Sequence, residues 1–233
     1  MSDHHHPLPE VPLVRGRMHW VLERCRGERV LHLGCADEGL TADRLARGEH
    51  LHAQLSEVAQ ELWGVDRSEV GLALIERHLP GARLIRADLE QLDEQPDLLA
   101  AGFTRIVLTE VVEHLDNPGR VLDSVRALCR PETRLLLSVP NGLSLLRLLD
   151  GLHRQEVVHP DHVAWFSYRT LRTLLERHGF VIDELAAYHF FAPASGLYPK
   201  LRQLPRRLLR AFARQRSPLL VADGILVQAR VGG

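Results

Sequence analysis

Short apolar runs alternate along the chain with segments whose apolar residues recur every three or four positions. RVLHLG, LWGVD, ARLIRAD, FTRIVLTE and RLLLSV each have strand length and are dominated by Val, Ile and Leu. Runs of that kind belong to strands buried on both faces, as in a parallel sheet covered by helices. Helical segments fall between them. A first helix is expected over residues 15–26, and residues 40–60 read as a helical stretch interrupted near Gly48. Ser68 offers a cap for the next helix, which Pro80 and Gly81 end. Asn117 and Pro118 open another, in which Val121, Leu122, Val125 and Leu128 share a face until Pro131 stops it. The stretch after Pro140-Asn141-Gly142 is less regular, and then Ser167 caps YRTLRTLLERH, with Gly179 at the position where a left-handed residue is wanted. FVIDELAAYHFF and GILVQARV follow with no crossover helix required between them, so they are expected to close the sheet as an antiparallel hairpin.

With 233 residues, 45% of them hydrophobic, the chain is sized for one core, and one domain over residues 15–233 is the expectation. Residues 1–14, with His4, His5 and His6, read as a disordered N-terminal tail. The net charge is −1 but is unevenly placed, because residues 185–233 hold eight basic side chains against the single acid Asp223. Most of that charge lies in a basic helical insertion at about residues 196–218, where Tyr198, Leu201, Leu208 and Phe212 form an apolar stripe among arginines. Residues 198–216 therefore suit an anionic membrane surface or a phosphorylated, lipid-linked acceptor, and equally a solvated helix over an acceptor pocket. Nucleic acid is a poorer partner, since the chain is only 5% aromatic and offers Trp165 but no stacking motif.

Cys25, Cys35 and Cys129 are odd in number and widely spaced, which a reducing compartment permits and which gives no disulfide or zinc framework. No apolar run reaches the ~18 residues of a membrane span, and the polar start lacks the apolar core of a signal peptide. A cytoplasmic location is expected.

Candidate chemistry gathers after the strands. GCADEG, residues 34–39, fits a degenerate dinucleotide fingerprint in which Gly34 lets a ligand approach the backbone. Asp66 ends the second run, where a carboxylate accepts both hydroxyls of a ribose, and Asp88-Leu89 follows the third, placed for an adenine edge. Acids after strands also cap helices, and GCADEG alone leaves a nicotinamide-binding oxidoreductase open.

Taken with FTRIVLTEVVEHLDNPGRVL and HPDHVAWFSYRTLRTLLERHGF, these segments resemble class I S-adenosylmethionine-dependent methyltransferases over about residues 17–190. The likeness is to the branch holding ubiquinone-biosynthesis O-methyltransferases and small-RNA 2′-O-methyltransferases. It implies a doubly wound, Rossmann-like α/β fold whose seven-stranded sheet is mostly parallel with an antiparallel last strand. It also implies S-adenosylmethionine as cofactor. Gly34, Cys35 and Ala36 would line its methionine part, Asp66 and Arg67 its ribose, Asp88 and Leu89 its adenine, with Glu110 as the floor after the fourth strand. Two positions depart from the family pattern: His32 stands where the first strand usually carries an acid, and Ala36 where a glycine is usual.

EVVEHL and HPDH concentrate titratable groups at the mouth of the fourth strand. By the same resemblance Glu110, Glu113, His114 and His162 would hold a divalent cation, Mg²⁺ or similar, which would lower the pKa of an acceptor hydroxyl. Without a metal, His114 or His162 serves as general base, since imidazole titrates near neutrality, while His159 reads equally as a loop-packing residue. The expected activity is methyl transfer to an oxygen of a small-molecule, glycan or lipid-linked acceptor. A metal-assisted RNA 2′-O-methyltransferase and a non-catalytic cofactor-binding protein are the rivals.

Overall fold

The computed structural model describes residues 5–37, 39–152, 154–189 and 217–232. Strands β2 (Arg29–Leu33), β3 (Glu61–Asp66), β4 (Arg83–Arg86), β5 (Arg105–Thr109) and β6 (Arg134–Pro140) are the five apolar runs, followed by β7 (Phe180–Tyr188) and β8 (Gly224–Val231). An eighth strand, β1 (Leu13–Val14), adds itself to the edge, giving the order β1-β7-β8-β6-β5-β2-β3-β4. Every pairing is parallel except those of β8, which runs antiparallel to both β6 and β7. The closing hairpin is thus as expected, and the sheet has one strand more than the seven read from sequence.

The extra strand also corrects the disordered tail at its inner end. Val11 is buried, Leu8 packs on the core, and Ala187 N–H donates to the Pro12 carbonyl at 2.9 Å. Leu8, Val11 and Leu13 bring enough apolar surface to hold an edge segment, where the neighbouring prolines are tolerated.

Helices cover both faces. Leu31, Leu33, Ile106, Leu108, Leu135 and Leu137 pack against α6 (Pro118–Leu128) and α8 (Tyr168–Arg177). Val30, Val107, Leu136 and Tyr188 on the opposite face pack against α1 (Arg17–Cys25) and α3 (Leu51–Val58). A single break separates α2 (Thr41–Ala46) from α3 around Gly48, as the sequence implies. The caps form as read: Ser68 accepts from Gly71 N–H to open α4 (Glu69–His78), Asn117 accepts from Arg120 N–H, and Ser167 and Thr170 make a reciprocal capping box. Two helices were not legible, the six-residue α5 (Pro96–Ala101) and α7 (Leu145–Leu152) in the irregular stretch. Of the basic insertion, residues 196–216 lie outside the described residues.

Candidate active site

The chain winds from β2 outward through β3 and β4, then crosses to β5 on the other side of β2. Strand order therefore reverses at β2, and a crevice opens there beyond the carboxyl ends of the strands. Gly34 turns the chain at that point with φ 67°, and a Cβ on it would lie 2.6 Å from Val111 Cγ2. Only glycine keeps the backbone this low.

Asp66 joins two of the crevice loops. Its Oδ2 accepts from Ala36 N–H at 2.9 Å and its Oδ1 from Ser68 N–H at 2.8 Å. Each oxygen keeps a further lone pair, so the same carboxylate can receive ribose hydroxyls. Burial raises its pKa, which those two N–H groups oppose. Arg67 beside it is exposed, and Cys35 is buried with its thiol pushed up by desolvation. Ala36 packs against the start of α4, where a Cβ on Gly71 would stand 2.5 Å from the Ala36 methyl. The methyl that departs from the family glycine is accommodated by a glycine opposite.

Asp88 is exposed, and its Oδ1 accepts from Glu90 N–H at 3.0 Å, capping the 3-10 helix Leu89–Glu94. Leu89 is buried in the main core. Both remain at the edge of the crevice, but Asp88 has the capping role that the sequence left open.

Glu110, directly after β5, has a left-handed conformation, φ 56°, rare for a side chain of this size and characteristic of functional turns. Its Oε1 accepts from Ser138 Oγ and from Tyr188 OH, each at 2.8 Å. Glu113, in the 3-10 turn Val112–His114, is 1% exposed. Neither carboxyl oxygen has a hydrogen-bond partner among the described residues. Burial, and then the charge of Glu110, lift its pKa to about 8. Arg17, the first residue of α1, acts electrostatically on Glu113, His32 and Tyr188. Sequence reading passed over it because nothing local distinguishes it from the neighbouring arginines. Its charge at this end of the crevice suits the carboxylate of an amino-acid moiety.

His32 lies on the α1 and α3 face, almost completely buried, with Nδ1 3.3 Å from Nδ1 of His52 and the two rings stacked. Desolvation drives its pKa well down, so an uncharged imidazole pair stands where the family carries an acid.

The loop before α8 is drawn to the turn after β5, since Val163 N–H donates to the Glu113 carbonyl at 2.9 Å. The His114 and His162 rings meet edge-on, 4.5 Å apart at 90°, with His159 5.5 Å from His114. Burial first, and then neighbouring imidazoles, lower the pKa of both His114 and His162. Their ligand atoms and that of His159 lie within 4.8 Å of one another. This corrects the expected cation site. Glu110, Glu113, His114 and His162 do not assemble as one donor group, because Glu113 turns into the interior and Glu110 is held by Ser138 and Tyr188. The group that does assemble among the described residues includes His159 and no carboxylate.

A cavity of about 360 Å³ lined by His52, Ser56, Leu62, His78 and residues 79–82 opens by the amino end of β4, away from this chemistry.

Known proteins share this chain's sequence pattern and fold. The chain is 23% identical over 206 residues to a ubiquinone biosynthesis O-methyltransferase of Aeromonas salmonicida, covering 82% of this chain and 79% of that protein. A protein of the same description from Xylella fastidiosa is 34% identical over 115 residues, 49% of this chain and 43% of its own length. The fold resembles a SAM-dependent methyltransferase from Archaeoglobus fulgidus, TM-score 0.58 at 21% identity over 92% of this chain and 94% of that one. It also resembles a 1,6-didemethyltoxoflavin-N1-methyltransferase from Burkholderia thailandensis with bound S-adenosylhomocysteine, TM-score 0.55 at 17% identity over 93% and 80% of the two chains. The family described as Methyltransferase domain matches residues 14–185. The chain belongs to that family and is a class I S-adenosylmethionine-dependent methyltransferase.

Proposed function

We propose that the enzyme methylates a hydroxyl oxygen of a small-molecule, glycan or lipid-linked acceptor. The observation that carries this reading is the packed pair His114 and His162, uncharged at neutral pH and set at the mouth of the crevice. Bound S-adenosylmethionine supplies a methyl group already activated by its sulfonium. Asp66 would hold the ribose and Arg17 the carboxylate of its amino-acid end. Gly34 brings the backbone against it. What remains for the protein is to orient the acceptor and remove its proton. His162, whose Nδ1 is buried without a hydrogen-bond partner among the described residues, takes that proton as the new carbon–oxygen bond forms. The relatives described as O-methyltransferases support oxygen as the nucleophile.

The cation reading does not gain from the site. Mg²⁺ requires oxygen donors, and the group assembled here offers three imidazoles. No step of the reaction is assigned to a metal, and turnover is expected to survive exhaustive chelation.

The test is transfer of a labelled methyl group from S-adenosylmethionine to hydroxylated small molecules, a lipid extract and short RNAs. Label in a hydroxyl of the first two pools, lost in His162→Ala near neutral pH, is the expected result. Label confined to RNA termini, or carried on nitrogen, would overturn the reading.

A further inference from the structure

Three histidines gather beneath the loop after β2, apart from His114 and His162. His32 from β2 and His52 from α3 stack with their ring centroids 5.5 Å apart and their Nδ1 atoms 3.3 Å apart. One ring of the pair must donate and the other accept, so a further proton would set two N–H groups against each other. His50 is fully buried, and neither of its ring nitrogens has a hydrogen-bond partner among the described residues. The trio touches the loop directly. His50 Nε2 lies 3.6 Å from Asp37 Oδ2, and His52 and Cys35 crowd over Gly64, where a Cβ would stand 2.7 Å from His52 Cε1 and 2.8 Å from Cys35 Sγ.

The segment that carries His50 and His52 is weakly held. α2 and α3 have no side-chain hydrogen bond at their N-caps, unlike α4, α6 and α8, and Gly48 between them is left-handed, φ 69°. The cavity lined by His52 and His78, about 360 Å³ in volume, gives solvent a route to the pair. Local opening begins in such segments. The surrounding charge favours opening in acid: Arg17 faces His32, and Arg44 and His78 face His50, while Asp37, which attracts a charged His50, is already paired with Arg44. Cys35 is an uncharged thiol. Burial holds all three imidazoles neutral in the closed fold, whereas in an opened segment each titrates near its ordinary 6.5. The closed state is therefore fully favoured above about 6.5 and loses ground as pH falls below it. We propose that His32, His50 and His52 form an acid-responsive latch, closed beneath the cofactor crevice near neutral pH and opened through residues 41–58 as the imidazoles take up protons. At about pH 5.5 each imidazole freed by opening favours the open state about tenfold. The opened segment no longer supports Cys35 and Asp37, and cofactor affinity falls. The latch rests on the reading that the cofactor occupies the crevice at Gly34 and Asp66.

S-adenosylhomocysteine affinity of the full chain is measured by calorimetry from about pH 7.5 to about pH 5.5, in buffers of differing ionisation heat. Affinity is expected to fall by about tenfold or more, with protons released on binding at the acid end. Amides of residues 41–58 should lose exchange protection there before those of β5 and β6, after correction for the intrinsic rate, and regain it with S-adenosylhomocysteine. The double variant His50→Gln, His52→Asn keeps hydrogen-bonding atoms but cannot titrate at those positions; it should bind like wild type at about pH 7.5 and hold its affinity further into acid. Wild-type affinity that does not change with pH overturns the latch and leaves the cofactor reading intact. A fall that persists in full in the double variant belongs to Asp66 and overturns it too. So does a segment equally protected at both ends of the range, a result that needs no variant. Absence of binding at any pH overturns the cofactor reading and the latch together.

Discussion

Glu113→Gln tests how the buried carboxyl is kept. A carboxyl whose pKa moves from its ordinary 4.5 to about 8 loses about 1.4 kcal/mol for each tenfold change in proton affinity, up to ~4–5 kcal/mol against the ionised form. The folded value is the higher one. Below about 4.5 both folded and unfolded chains hold the proton; between there and about 8 only the folded chain does. Unfolding then releases a proton, so stability falls as pH rises across that window and levels off above it. Glutamine has the same shape and no charge. Its amide meets the same lack of partners, a cost of about 1–3 kcal/mol that does not vary with pH. Urea unfolding of the cofactor-free wild type and variant, from about pH 5 to about pH 9, separates the two terms. The variant should have the flatter profile, with its relative stability improving by a few kcal/mol toward the alkaline end. Parallel profiles would refute the assignment of a protonated Glu113.

Asp66→Ala removes the acceptor of two backbone N–H groups and, in the function proposed above, of the ribose; S-adenosylhomocysteine binding by calorimetry should vanish, with about 1–3 kcal/mol lost for each stranded N–H. Gly34→Ala carries a left-handed penalty of about 1–2 kcal/mol and must displace Val111, about 1–3 kcal/mol more. It should lower both the melting temperature and cofactor affinity. Ser167→Ala should cost about 0.5–2 kcal/mol in denaturant unfolding while leaving cofactor affinity unchanged.

The sheet was legible because its central strands β2, β5 and β6 are buried on both faces and its helices open with strong caps, as at Ser68, Asn117 and Ser167. β1 was not, since Leu13–Val14 is two residues long and pairs with Ala187 and Tyr188 at the far end of the chain. α7 escaped because Leu145–Leu152 is only eight residues long, shorter than the window in which a helical period stands out. Gly34, Asp66 and His114 could be placed at the carboxyl edge from sequence, since each ends or follows a strand. Which of them meet depends on the direction of single side chains: Glu113 and His114 are neighbours in a 3-10 turn, yet one is interior and the other faces His162. His32 was read only as standing where an acid is usual, and the structure shows it stacked on His52.

Ala36 and Gly71 have a consequence for divergence. One comes from the loop after β2 and the other from the first turn of α4, yet the space between them admits a single methyl group, since a second would sit 2.5 Å from the first. The two positions are one inheritable unit. A lineage can move that methyl from one loop to the other only by passing through a pair of glycines, with a small void as the intermediate, because a pair of alanines would force the loops apart. Read column by column, such sequences would show two unrelated small-residue substitutions where the protein has a single packing constraint.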